Sequence, residues 1–351
     1  MKVNLVHNSN YFWRIVFTVM MTVLHCNWLN GYRSGWYLCV EYFFMISGFF
    51  LMEQYEKKKE SPFCHIGKKI IKLYPHQAFS FIVLFLWNYR CLIGDRELRE
   101  IVRKFILHLG EALPLTYFYS DYDSLGTTFL NFPIWYISVL LFVGLLFYGI
   151  LFVQPVLFKT VVVPASIFLT YRYIYCNCES INLTTCEGIL INGHYLRGIG
   201  AMACGCMIHT IVKKMQEYTF TPIFFKVVRG LEVVCMLGVI VLAWFYGNTK
   251  SDVFLVLMLA IGVTCTFLYP KSNFISGKRV KSIYNLTYPV YLNHVFIFAV
   301  LNSGLLPLPD NFFLRYILFI IIIVPYSIFT NWLVKKVVES IGKLKGIFVV
   351  S

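Results

Sequence analysis

Four ionisable side chains stand in apolar stretches of this sequence and set the chemistry it can offer. Arg14 and His25 lie in the first hydrophobic run, Glu41 in the second and His294 in a late one. A histidine, with an unperturbed pKa of about 6.5, suits the removal of a proton from a hydroxyl near neutral pH. An arginine stays charged and presents a fixed fork of N–H donors to a phosphate or a polarised carbonyl. Eleven steps of a 3.6-residue helix bring Arg14 and His25 back to nearly the same face, roughly 16 Å apart along the axis. The two look inward together but cannot touch one atom. Arg near a membrane helix centre costs about 2.5 to 3.5 kcal/mol on insertion scales, so such residues usually face a bundle interior or a wet cavity. The simpler readings are that Arg14 snorkels to the inner surface and that His25 is a hydrogen-bonded structural histidine.

Those residues need a scaffold, and composition says which solvent it lives in. Of 351 residues 58% are hydrophobic and 14% charged, with a mean hydropathy of +0.68, where a soluble domain carries about 25% charged residues. The expected fold is all-α, a polytopic membrane helical bundle of about ten transmembrane helices. Apolar runs fall at about 11–30, 36–52, 73–92, 132–152, 159–176, 195–212, 229–246, 252–269, 283–302 and 312–334, judged against the roughly 20 residues a span needs.

The net charge of +14 is read as topology. With the N- and C-termini cytoplasmic, Lys2, Lys57 to Lys59, Lys68, Lys69, Lys72, Lys159, Lys213, Lys214, Lys226 and Arg229 all fall inside, as do Lys271, Lys278, Arg279, Lys281 and the tail lysines. This is the positive-inside bias. Nucleic acid is excluded as a partner because no soluble basic face is present to bind it. One basic cluster departs from the rule. Around 98–109, Leu98, Ile101, Val102, Phe105, Ile106 and Leu109 form an apolar stripe opposite Arg96, Arg99, Arg103 and Lys104, which predicts an amphipathic helix lying on the outer leaflet. A topology shifted by one span would account for it as well.

No cleavable signal peptide, linker, repeat or soluble domain is expected, so 1–351 reads as a single membrane domain. Of eleven cysteines, Cys176, Cys178 and Cys186 fall in an expected outer loop, where a disulfide can form. Their spacing with His194 matches no zinc pattern, and no metal is expected.

The second run ends Phe43-Phe44-Met45-Ile46-Ser47-Gly48-Phe49. Together with Arg14 and His25 it resembles the acyltransferase 3 family of membrane acyltransferases, which includes bacterial polysaccharide O-acetyltransferases. Lys69-Ile-Ile-Lys72-Leu-Tyr74-Pro75 is similar to that family's basic stretch entering the third span, with Lys where Arg is usual. Trp135-Tyr136-Ile137-Ser138, Leu196-Arg197-Gly198 with Gly205, and Tyr288-Pro289-Val290-Tyr291-Leu292-Asn293-His294 resemble its later motifs.

The resemblance implies an O-acetyltransferase of the bacterial inner membrane. It would move an acyl group from cytoplasmic acetyl-CoA, a donor substrate and not a resident cofactor, to a hydroxyl of a surface polysaccharide or lipid-linked glycan. His25 is then the expected base and Arg14 the residue on the donor's phosphate or thioester carbonyl. His294 binds the acceptor, orients the other histidine, carries the acyl group or is structural. Glu41 pairs with a histidine as the third member of a triad, or with Arg33. Lys69 and Lys72 are candidates for the CoA phosphates, although positive-inside placement alone explains them. Trp135, Arg197 and Tyr291 are substrate-side candidates through resemblance, a boundary Trp being otherwise an interface anchor. The reading from another class is a polytopic transporter or exporter of a small acylated or anionic solute, which would show inverted repeats or broken helices in matching halves.

Overall fold

The computed structural model describes residues 8–26, 35–95, 97–113, 129–182, 193–268 and 277–348. Every regular element among them is helical. In chain order the main helices are α1 (Asn8–His25), α2 (Cys39–Lys57), α3 (Pro62–Asn88), α4 (Leu98–Leu107), α5 (Trp135–Val153), α6 (Val163–Asn177), α7 (Gly193–Met215), α8 (Pro222–Tyr246), α9 (Asp252–Leu268), α10 (Gly277–Tyr284), α11 (Thr287–Asn302) and α12 (Phe312–Phe348). Among the described residues seven segments are long and apolar enough to cross a membrane: Gly35–Lys57, Pro62–Asn88, Phe132–Val153, Pro155–Asn177, Gly193–Met215, Pro222–Tyr246 and Phe312–Ser340. α9 is apolar but shorter. α1 and α11, the helices that hold Arg14, His25 and His294, are the other two expected runs; polar residues keep the 18-residue α1 outside that set, and α11, at 16 residues, is also too short for it.

Boundaries moved where proline and glycine decide them. The third run begins at Pro62, not near residue 73, so Lys69, Lys72 and Pro75 lie inside α3. The fifth begins at Pro155 and reaches α6 through one turn of π-helix, Phe158–Val162. The first starts at Asn8 and ends at His25; residues 27–30 lie outside the described ones.

The chain divides into two compact units, residues 1–67 with 139–284 and residues 68–138 with 285–351. In the first, α2 and α7 form the most extensively packed helix pair. Gly48 and Gly205 make that approach possible: a Cβ on Gly48 would sit 2.1 Å from the Met202 carbonyl oxygen, and one on Gly205 would sit 1.9 Å from that of Met45. Close backbone contact through small residues is how membrane helices gain packing energy without a hydrophobic force between them. Around this crossing Phe49 stacks on Phe267 of α9 at 3.6 Å, and Phe17 of α1 stacks on Tyr42 at 4.3 Å. The Phe-Phe-x-x-Ser-Gly-Phe stretch is therefore a packing element.

In the second unit α11 packs along α12, with Phe298 on Phe319 at 4.3 Å. Phe81, Leu84, Phe85 and Leu130 form a core against which Tyr89, Ile101, Val295 and Phe296 pack. The amphipathic segment is helical as expected, but its apolar stripe is divided. Ile101 packs on that core and the Phe105 ring lies 5.5 Å from Phe85, yet Phe105, like Leu98, Val102 and Ile106, stays exposed.

Candidate active site

In the first unit α1 carries both Arg14 and His25, and the unbroken helix between them preserves the roughly 16 Å separation. Arg14 does not snorkel outward. Its Nη1 donates to the Tyr284 hydroxyl of α10 at 2.8 Å, and its guanidinium carbon lies 5.5 Å from the Phe50 ring and 5.3 Å from the Tyr284 ring. Aromatic faces hold a cation through their quadrupole without neutralising it. Among the described residues no carboxylate pairs with Arg14, and its buried Nε has no hydrogen-bond partner. An intact positive charge with an unused donor is thus fixed inside the bundle. His25 is the last residue of α1 and is half-buried.

Glu41 and Arg197 correct the expectation for both. The carboxylate meets no described histidine; Arg33, the other expected partner, lies outside the described residues. It takes a two-pronged bond from Arg197, Nε to Oε1 at 2.7 Å and Nη2 to Oε2 at 2.9 Å, while Nη2 also donates to the Tyr37 carbonyl at 3.2 Å. Glu41 is 0% and Arg197 2% exposed. A buried charge must be paired, and the fork of an arginine matches a carboxylate better than an imidazole does. This places Arg197 as the partner of α2 and not at an open surface.

The other named residues fall in the second unit. His294 is fully buried, and its Nδ1 lies 2.6 Å from the Tyr291 carbonyl oxygen. A carbonyl only accepts, so Nδ1 carries the proton and Nε2 of the neutral ring keeps the lone pair. Tyr291 donates its hydroxyl to the Pro133 carbonyl, at the turn leading into α5, with the Tyr136 ring 5.9 Å away. Trp135 opens α5 and is buried. On α3, Lys72 is exposed and Lys69 half-buried. Ser80 Oγ and Asn131 Nδ2 both donate to the Leu292 carbonyl, at 2.7 and 3.1 Å, fixing the turn of α11 that carries Tyr291 and His294.

Sequence reasoning missed the polar centre beneath Arg14. Glu232 of α8 is fully buried and accepts from Trp13 Nε1 at 2.7 Å, Thr266 Oγ1 at 3.1 Å, Arg229 Nη1 at 2.6 Å and the Ser9 hydroxyl. An acid within a 25-residue apolar helix was the available signal. A second such acid, Asp252, is buried and accepts from the Tyr37 hydroxyl, whose oxygen takes the Asn248 N–H at 3.2 Å. Of the loop cysteines, Cys178 is disulfide-bonded and Cys176 is a free thiol; Cys186 lies outside the described residues.

Comparison with known proteins adds the family. No curated protein and no solved structure matches the chain. The family model described as an acyltransferase domain, acyltransferase 3, matches residues 8–334, from the first residue of α1 into α12. With that match over nearly the whole length, and with an all-helical fold of apolar spans, this membrane protein belongs to the acyltransferase 3 family.

Proposed function

We propose that the protein moves an acyl group, acetyl in its simplest form, from cytoplasmic acyl-CoA to a hydroxyl of a cell-surface polysaccharide or a lipid-linked glycan in a bacterial inner membrane. Membership of an acyltransferase family supplies the reaction class. The observation that carries the finer reading is Arg14: a guanidinium gripped by Phe50 and Tyr284, with no described carboxylate to neutralise it and an unsatisfied Nε–H. Such a group suits a donor that is polyanionic and whose thioester carbonyl gains negative charge on attack. Arg14 in the first half of α1 and His25 at its last residue divide the work, the cation on the donor and the imidazole as base for the attacking hydroxyl. By resemblance to the family, Lys69 and Lys72 are the candidates for the nucleotide phosphates, and Trp135 and Tyr291 for the acceptor.

The test is transfer of labelled acetyl from acetyl-CoA to glycan by the purified full chain in lipid vesicles, His25→Ala beside wild type. The expected result is loss of transfer by about 10²-fold or more in the variant, the usual share of a positioned base. Undiminished transfer would remove His25 from the chemistry. Uptake of an acylated or anionic solute without any acyl transfer would replace the enzyme with a transporter.

A further inference from the structure

The basic segment that departs from the positive-inside pattern has a geometry of its own. At the end of α3, Arg90 Nη1 donates to the Trp87 carbonyl at 2.7 Å, and its guanidinium carbon lies 4.4 Å from the centre of the Trp87 ring. A tryptophan closing an apolar span marks the level where hydrocarbon meets headgroups. One short helical turn, Arg90–Gly94, leads from there towards α4. Phe105 of α4 stands edge-on to Phe81 and Phe85 of α3, with 5.9 and 5.5 Å between ring centres. Those two rings precede the last residue of α3 by seven and three positions, about 10 and 5 Å down the span. The apolar face of a helix lying in a membrane surface sits about 5–10 Å into the headgroup boundary. Packing on α3 holds α4 at that depth.

Round α4 the side chains fall into three sectors. Ile101 packs on the core of α3, and Lys104 Nζ lies 5.9 Å from the Tyr89 ring centre. Leu98, Val102 and Ile106, at four-residue steps, cover an arc of about 80° and are 71%, 48% and 61% exposed. Arg99 and Arg103, each one residue further along, stand about 100° round from Leu98 and Val102 and are exposed too. Arg103 is held by Glu100 at 3.2 Å. Arg90, Arg99 and Lys104 have no carboxylate partner among the described residues.

A surface helix in water turns its most apolar arc to the core. This one packs through a neighbouring face and leaves Leu98, Val102 and Ile106 outward, with arginines along the far edge. The arrangement suits a membrane surface, the apolar arc towards acyl chains and the cations at phosphate level. The unpaired charges select the lipid, because an anionic headgroup attracts each basic residue near it and a zwitterionic one carries no net charge.

We propose that α4 is a docking helix for anionic phospholipid at the membrane face where α3 ends. Leu98, Val102 and Ile106 enter the acyl boundary, and Arg90 and Arg99 meet the phosphates. This stands independently of the acyl-transfer reading, and it makes the basic cluster that topology leaves unexplained a lipid contact.

The experiment places a photo-crosslinking amino acid at Val102 of the full chain, in vesicles of phosphatidylcholine alone or mixed with phosphatidylglycerol. Mass spectrometry of the α4 peptide reads what it has joined. Expected are lipid adducts, with phosphatidylglycerol at least about fivefold above its share of the vesicle, and Arg99→Gln should lower that enrichment about fivefold, the value of one basic residue at an anionic surface. An unchanged unfolding temperature in Arg99→Gln keeps a folding defect out of the comparison. Adducts in proportion to vesicle composition, or an enrichment that Arg99→Gln leaves intact, would overturn the selection for anionic headgroups. Reaction with water alone, with another segment of the chain or with a second copy would overturn the membrane contact itself. Enrichment that appears only on adding a polyprenyl diphosphate would give the helix to a lipid-linked acceptor and overturn bulk phospholipid as its occupant.

Discussion

Arg197 grips Glu41 with two parallel bonds of 2.7 and 2.9 Å, joining α7 to α2 across 156 residues of sequence. Both partners are sealed from solvent. Removing one leaves an uncompensated buried charge, so Arg197→Ala or Glu41→Ala should each cost about 3–5 kcal/mol. The double variant Glu41→Leu with Arg197→Met should be more stable than either single one. Arg197→Lys should fall in between, because an ammonium cannot make the fork. Thermal unfolding of the purified protein in detergent reads all four, and a double variant less stable than both singles would show the pair to be worth more than its desolvation.

Gly48 and Gly205 predict a second effect at the same helix pair. An added Cβ would meet carbonyl oxygens at 2.1 and 1.9 Å, and backbone atoms cannot swing aside as a side-chain end can. Gly205→Ala should destabilise by about 3 kcal/mol, the upper end of ordinary overpacking. Gly149→Ala on α5, where a Cβ meets nothing within 4 Å, should be neutral or stabilising by up to about 1 kcal/mol through helix propensity. Equal effects at the two sites would argue against a close α2–α7 approach.

Trp13 tests the buried acid. Trp13→Phe keeps the ring but deletes the 2.7 Å N–H bond to Glu232, and bonds to charged groups contribute about 1.5–3 kcal/mol. A loss in that range is expected in unfolding, together with a smaller rise in the acetyl-CoA requirement, because Trp13 and Arg14 are consecutive on α1.

Arg14 separates donor from acceptor. Arg14→Ala should raise the KM for acetyl-CoA by about 10-fold or more, the value of a charge-assisted bond, while leaving the KM for glycan within about twofold, since roughly 16 Å of helix separates it from His25. Tyr284→Phe removes one hydrogen bond but keeps the ring under the guanidinium, and should have the smaller effect. Equal increases in both KM values in Arg14→Ala would contradict the division of labour.

Much of this architecture is local in origin and so can be read along the chain. The apolar runs specify spans because a bilayer needs about 20 residues whatever lies beside them, and the eleven-residue step from Arg14 to His25 is set by helix geometry alone. Glycine at 48 and 205 announces close packing by its type. His108 and Glu111 are also neighbours by helical spacing, three residues apart, although the surface helix read from the sequence ends at 109, before Glu111.

What the tertiary structure decided is partnership. Glu41 could be assigned a histidine or Arg33 from sequence, and only the crossing of α2 with α7 gives it Arg197. Nothing along the chain ties Ser9 and Trp13 to Glu232 more than 200 residues later, or Tyr89 to His108 19 residues away. Burying a charge is costly enough that each must find a partner. Which partner is set by where packed helices bring side chains within 3 Å, and that distance is a property of the fold.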